Sequence, residues 1–228
     1  MTDRLHRTQM LLGQNATEKL RASHVMVVGC GAVGSVAIEA LARIGVGHLT
    51  LIDCDKIEES NINRQLFALD SSIGVAKVDV AASRIYDINP DTTVIPLQMF
   101  FDDQTELDIV PDFVIDAIDT VESKIALYKW CDAHGVPFIS SMGAARKTDM
   151  TQIKISKISQ TSACPLAARI RKIVRTQHMP EFDVVYSTQV PDKNVLPGRV
   201  FGSIMTVTGM FGLLMADYCI KYLIKDIR

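Results

Sequence analysis

Short apolar runs alternate with amphipathic stretches over the first 140 residues. Residues 25–29 read as a buried strand. Val33, Ala37, Ala40, Leu41 and Ile44 then recur at helical spacing, and Gly45 and Gly47 close that helix. Residues 48–53 are apolar enough to be covered on both faces, as in a parallel sheet. A second helix is expected over 74–89, with Val78, Ala81, Ile85 and Ile88 facing inward and Pro90 ending it. Next come strands at 93–97 and 113–116, a helix at 121–134 and a strand at 136–140. Ahead of all this, residues 1–24 read as polar and helical, with Leu11, Leu12 and Leu20 free to pack. After Ser141 the alternation weakens. A half-exposed strand is expected over 152–158, a basic helix over 166–175, a short strand over 184–188 and a mobile loop over 191–197. The pattern specifies an α/β fold: a Rossmann-like, doubly wound, mostly parallel sheet with an antiparallel C-terminal extension. One domain of 228 residues is expected, with a core at 1–145 and an extension at 146–228.

The turn between the first strand and helix carries chemistry. Gly29, Gly31 and Gly34 fit G-x-G-x-x-G, and Asp53 ends the next strand nineteen residues later. Gly29 permits the tight turn, Gly31 lets a phosphate reach backbone N–H groups at the positive end of the helix, and Gly34 lets helix lie on strand. Asp53 is placed for a ribose. This much fits any nucleotide, an NAD dehydrogenase included.

The residues beyond Asp53 change that reading. Asp53-Cys54-Asp55 runs into Ser60-Asn61-Ile62-Asn63-Arg64-Gln65, and Lys77 stands twelve residues further on. A second acidic step, Asp116-Ala117-Ile118-Asp119, ends a later strand. A guanidinium, an ammonium and extra carboxylates suit a triphosphate with its magnesium ion better than a diphosphate. Lys77 sits at a helix start, where the dipole disfavours a cation and a functional reason is called for. With GCGAVG, DCD, SNINRQ, Lys77 and DAID, the chain resembles the adenylating family of MoeB, ThiF and the ubiquitin-activating enzymes. The resemblance implies a homodimeric enzyme that activates a carboxylate with ATP. It casts Arg64 and Lys77 as triphosphate ligands, Asn61 and Gln65 as phosphate or backbone-positioning groups, Asp119 as the magnesium-linked carboxylate and Asp55 as its helper. Arg7, in R-L-H-R-T-Q-M-L-L-G, matches an arginine that reaches the partner subunit's ATP.

Charge and cysteines narrow this further. The net charge is −2, yet residues 143–175 hold Arg146, Lys147, Lys154, Lys157, Arg169, Arg171, Lys172 and Arg175 against Asp149 alone, a segment of +7 that leaves −9 elsewhere. Such asymmetry suggests an anionic partner. None of the five cysteines forms C-x-x-C, so no zinc is expected, a departure from the paired C-x-x-C of many sulfur-carrier activators. Scattered thiols and a start without an apolar run point to a cytoplasmic protein. The apolar element at 202–224 reaches membrane length only if Thr206, Thr208, Gly209, Gly212 and Asp217 are tolerated, so a buried or dimer-interface helix is expected and membrane association is not. Cys164 precedes a proline-initiated helix and is the candidate acyl acceptor; Cys30 lies in the glycine loop, and Cys54 is expected to be buried.

SSMGAARKTDMTQI, CPLAARIR and VVYST resemble the tRNA threonylcarbamoyladenosine dehydratases. That resemblance implies ATP-driven cyclisation of a modified adenosine beside the tRNA anticodon, without a carrier protein. It leaves open a monovalent cation and a sulfur-mobilising accessory protein. The alternatives are an activator of a ubiquitin-like sulfur carrier and a non-catalytic nucleotide-binding scaffold.

Overall fold

The computed structural model describes residues 4–191 and 201–227. Seven strands form one sheet in the order β3-β2-β1-β4-β5-β7-β6. They are β1 (His24–Val28), β2 (His48–Ile52), β3 (Thr93–Leu97), β4 (Phe113–Asp116), β5 (Phe138–Ser141), β6 (Ile153–Lys157) and β7 (Asp183–Ser187). All neighbours are parallel except the terminal β6–β7 pair. The helices are α1 (His6–Leu12), α2 (Gln14–Ala22), α3 (Gly34–Ile44), α4 (Lys77–Ile88), α5 (Val121–His134), α6 (Pro165–Thr176) and α7 (Met205–Leu223). This is the doubly wound sheet with an antiparallel extension that the pattern specifies.

The connections run one way from β1 to β3 and the other way from β4, so the strand order reverses between β1 and β4. Ligands in such sheets bind at the carboxyl ends beside that switch point. Val28 is in register with both Ile52 and Asp116. The loops after β1, β2 and β4 therefore leave the sheet at one level.

The core lies on both faces, as the apolar runs require. Val25, Val27, Leu49, Leu51, Phe113 and Ile115 meet Ala37, Ile38 and Leu41 of α3 and Phe211, Met215 and Cys219 of α7. Met26, Val28 and Val114 meet Leu127, Trp130 and Cys131 of α5 across the other face. A third cluster joins Ile170 and Val174 of α6 to Tyr128, Phe182 and Val184. Gly212 explains how α7 gets so close to α3. A Cβ there would stand 2.4 Å from the Val33 carbonyl oxygen and 2.9 Å from Val36 Cβ. No helix among the described residues is long and apolar enough to cross a membrane.

Several boundaries differ from the sequence reading for local reasons. Residues 1–24 are read as one helical stretch, and the described part of it is two helices, broken where Gly13 leaves the helical region. Leu11 is exposed rather than packed, because α1 buries none of its residues. The helix expected from 74 starts at Lys77, since Ala76 is extended and bridges Lys56. Strand β5 starts at Phe138 because the Val136 amide donates back to Cys131 and helps end α5. The apolar C-terminal element turns helical only at Met205. Most of the loop expected at 191–197 lies outside the described residues.

Candidate active site

A cleft of about 880 Å3 opens at the switch point. The glycine turn forms its floor. Gly29 has φ +97, and a Cβ on it would sit 2.6 Å from the Ala117 oxygen, so the loops after β1 and β4 meet there. A Cβ on Gly34 would stand 1.7 Å from the Gly29 oxygen. Gly31 differs: its Cβ direction meets only the Gln65 side chain, at 3.8 Å, and it lines the cleft. Two glycines are thus steric requirements of the turn, and the third leaves room beside the N-terminus of α3. Gly34→Ala should abolish folding. Gly31→Ala should melt within about 2 °C of the parent and bind ATP at least roughly tenfold more weakly, as thermal melting and ATP titration would reveal. Parent-like ATP binding by Gly31→Ala would remove this glycine from the site.

Asp53 lies at the end of β2. One carboxylate oxygen accepts from the Cys30 N–H at 2.7 Å and the other from the Asp55 N–H at 2.9 Å. Burial pushes its pKa up, while Lys77 and these two N–H groups pull the other way. The same residue therefore braces the glycine loop and keeps lone pairs for a ribose. Burial also pushes the Cys30 thiol well up, so it stays protonated inside the turn. Cys54 is exposed, correcting the expectation of burial. It stands just past the strand's end, where the sheet opens into the cleft.

Lys77 is only 6% exposed, and its Nζ donates to Asp55 Oδ2 at 2.7 Å. That hydrogen bond holds the Asp55 carboxyl below its usual range. Arg64 Nη1 donates to the Ser60 carbonyl and to Asn63 Oδ1, at 2.7 and 2.8 Å. Asn63 in turn donates to the Ser203 carbonyl just before α7. The Ser35 hydroxyl of α3 accepts the Leu66 N–H. The SNINRQ segment is therefore tied to both helices that flank the cleft. Asn61 is buried and accepts the Glu58 N–H; it braces the segment and is not part of the cleft lining. Arg64, Gln65, Lys77, Asp53, Asp55 and Asp119 do line it. Asp119 is exposed there and does not cap α5, whose first turn has no side-chain cap. Arg7 is exposed on α1, outside this chain's cleft.

Three buried side-chain polar atoms among the described residues have no hydrogen-bond partner: Gln65 Oε1, Ser123 Oγ and Arg146 Nε. All three residues line this cleft. Buried polar groups normally find partners, so these atoms are left for water or a ligand in the cleft.

Beneath the cleft lies a network that the sequence does not disclose. Asp116 and Lys124 are both fully buried, with Lys124 Nζ 2.7 Å from Asp116 Oδ2. Ser140 donates to the same oxygen at 2.6 Å, so the Tyr128 hydroxyl, 2.7 Å from Ser140 Oγ, is the donor in that contact. The Ile118 N–H donates to Asp116 Oδ1, which fixes the loop bearing Asp119. Burial lowers the Lys124 pKa against the pull of Asp116. A lysine one turn before Tyr128 in an otherwise apolar helix face is the available signal.

Part of the basic segment is engaged within the fold, while Arg169, Lys172 and Arg175 stay exposed on α6. Lys147 is buried, and its Nζ donates to the Ala163 and Gln189 carbonyls. Arg171 donates to Thr161, and Lys157 pairs with Asp183. Arg169 pairs with Glu122, and both Arg169 and Arg146 line the cleft. Cys164 is buried as the N-cap of α6, its sulfur accepting the Ala167 N–H.

The chain is similar to known proteins in both sequence and fold. The model of the ThiF family matches residues 5–228. The tRNA threonylcarbamoyladenosine dehydratase of Bacillus subtilis is 39% identical, over all of this chain and 97% of that protein. The dehydratase of the same name from Haemophilus influenzae is 37% identical, over 91% of this chain and 88% of its own length. A crystal structure of E. coli tRNA N6-threonylcarbamoyladenosine dehydratase, TcdA, in complex with ATP matches with a TM-score of 0.91 at 34% identity, covering 98% of this chain and 95% of that one.

Proposed function

This chain belongs to the ThiF family, and from that premise we propose that it is an ATP-dependent tRNA threonylcarbamoyladenosine dehydratase. One observation carries the reading. The glycine turn, Asp53, Arg64, Lys77 and Asp119 share a continuous cleft with residues 141–147, Arg169 and Phe201. The volume holds a nucleotide and the end of a second ligand.

ATP is placed with its ribose on Asp53 and its phosphates at Gly31, Gln65, Arg64 and Lys77. The threonyl carboxylate of the modified adenosine attacks the α-phosphorus, and pyrophosphate leaves. No general base is needed, because the carboxylate is already ionised. The barrier is charge gathering on phosphate oxygens, which Arg64 and Lys77 offset from fixed positions. A nitrogen or oxygen of the substrate's own threonylcarbamoyl group then attacks the acyl carbon of the adenylate. The ring closes, AMP leaves with one carboxylate oxygen, and the net loss from the nucleoside is one water. Cys164 is not required.

The donor set fits magnesium, since Asp119 and Asp55 are exposed carboxylates on the same cleft. Bound there, the ion would supply neutralisation of phosphate charge. Arg7, exposed on a helix that buries nothing, is assigned to the ATP of a second subunit in a homodimer. We assign the chain to the cytoplasm as one adenylating unit, residues 1–145 holding the nucleotide and 146–228 serving the substrate.

The test incubates the protein with ATP, magnesium and tRNA that carries or lacks threonylcarbamoyladenosine. AMP release with loss of one water from the nucleoside, only with modified tRNA, is expected. Pyrophosphate exchange with no change of the nucleoside would reject the dehydratase in favour of a sulfur-carrier activator.

A further inference from the structure

The cleft has two aromatic ends, and ATP accounts for one. Met99 and Phe100 come just after β3, the neighbour of the strand that leads to Asp53, so they flank the ribose position. Phe201 lines the cleft against Arg146, which follows β5 on the other side of β1 and β4, and is 57% exposed. The Arg146 guanidinium carbon lies 4.2 Å from the centroid of its ring.

The pair is assembled by the backbone. Arg146 has φ +59, in the left-handed region that favours glycine. Its N–H donates to the Gly202 carbonyl at 2.9 Å, one residue from Phe201. Strain of this kind persists where the surroundings over-determine it, and it gathers at functional sites. Arg146 Nε remains buried without a partner. An aromatic ring backed by a cationic plane thus lines a cleft that already has a place for its nucleotide.

Unpaired bases are held by stacking on aromatic rings and guanidinium planes, with hydrogen bonds to their edges. The geometry points to Phe201, backed by Arg146, as a stacking platform for the substrate's own nucleobase, an N6-acylated adenine turned out of a single-stranded loop, with the base on the exposed face of the ring and the guanidinium against it from behind. This rests on the dehydratase reading above and makes the pair a specificity determinant within it. Held at the far end, the base directs its acyl carboxylate back toward the phosphates at Gly31 and Lys77.

The experiment measures KM for modified tRNA in the AMP-forming reaction and, separately, Kd for ATP, in Phe201→Leu, Phe201→Trp and Arg146→Gly. Glycine suits the left-handed backbone, so the last variant removes the guanidinium without new strain. Phe201→Leu and Arg146→Gly should raise KM by roughly tenfold or more, with ATP affinity unchanged, and Phe201→Trp should stay near the parent. A parent-like KM for Phe201→Leu in an active enzyme would overturn the platform and leave the dehydratase standing. So would a defect confined to Arg146→Gly with the salt slope of tRNA binding reduced by about one, since that marks a phosphate contact. If the parent protein forms no AMP with modified tRNA, it is the dehydratase reading that fails.

Discussion

Lys77→Ala will cut AMP formation by about 10²- to 10³-fold while leaving the protein folded. That is the loss seen when one fixed donor to transition-state charge is removed, about 2.7–4 kcal/mol. Lys77 begins α4, and its buried stem leads to an amine that pairs with the largely exposed Asp55 carboxylate. That partner can be exchanged for a phosphate oxygen at little cost, because water can replace the lysine around Asp55. Arginine at this position would restore charge but not shape, since its planar fork does not fit where a compact ammonium sits. Steady-state AMP release at saturating ATP is the readout. A Lys77→Ala enzyme within threefold of the parent would show that this ammonium serves only to hold Asp55.

The second large effect falls on stability. Lys124→Met leaves the Asp116 carboxylate fully buried with its ammonium partner gone. Breaking a buried pair from one side costs about 3–5 kcal/mol. For a chain of this size that is a melting-temperature drop of about 6–20 °C. Replacing both groups, Asp116→Leu with Lys124→Met, should recover much of that loss, because the desolvation penalty disappears with the charges. The double variant should still bind ATP poorly, as the Ile118 N–H loses its acceptor and the Asp119 loop its anchor. Calorimetric melts of the three proteins check this. A single variant that melts with the parent would mean that the pair carries no net stability.

Parts of this structure are legible in the sequence and parts are not, for physical reasons. Strands β3 and β4 and helix α5 fall at the positions that their apolar periods and bounding prolines and glycines give, because those signals are local. The turn residues Gly29 and Gly34 and the strand-end Asp53 are equally legible, since the chemistry of a tight phosphate turn admits few residue types. What escapes depends on distant segments. Asp116 reads as one more cleft carboxylate, and only the pairing of β4 with β5 and the packing of α5 on the sheet put Ser140 and Lys124 against it. The basic count over 143–175 suggests one face, whereas Lys147 is spent on backbone carbonyls and Lys157 on Asp183. The stacking of Arg146 on Phe201 joins residues more than fifty positions apart. Cys54 is exposed against expectation because β2 ends at Ile52, two residues before it.

The contact of Gly212 with Val33 bears on how the protein is made. Helix α3, which follows the glycine turn, lies against α7, about 170 residues later in the sequence. During synthesis at about 5–20 residues per second, the glycine turn and α3 emerge first and wait on the order of ten seconds for that wall. Until the final helix leaves the ribosome, Leu41, Ala37 and their neighbours face water. A nascent chain of this enzyme therefore presents the apolar face of α3 beside its glycine turn, and that interval is when a chaperone has something to hold.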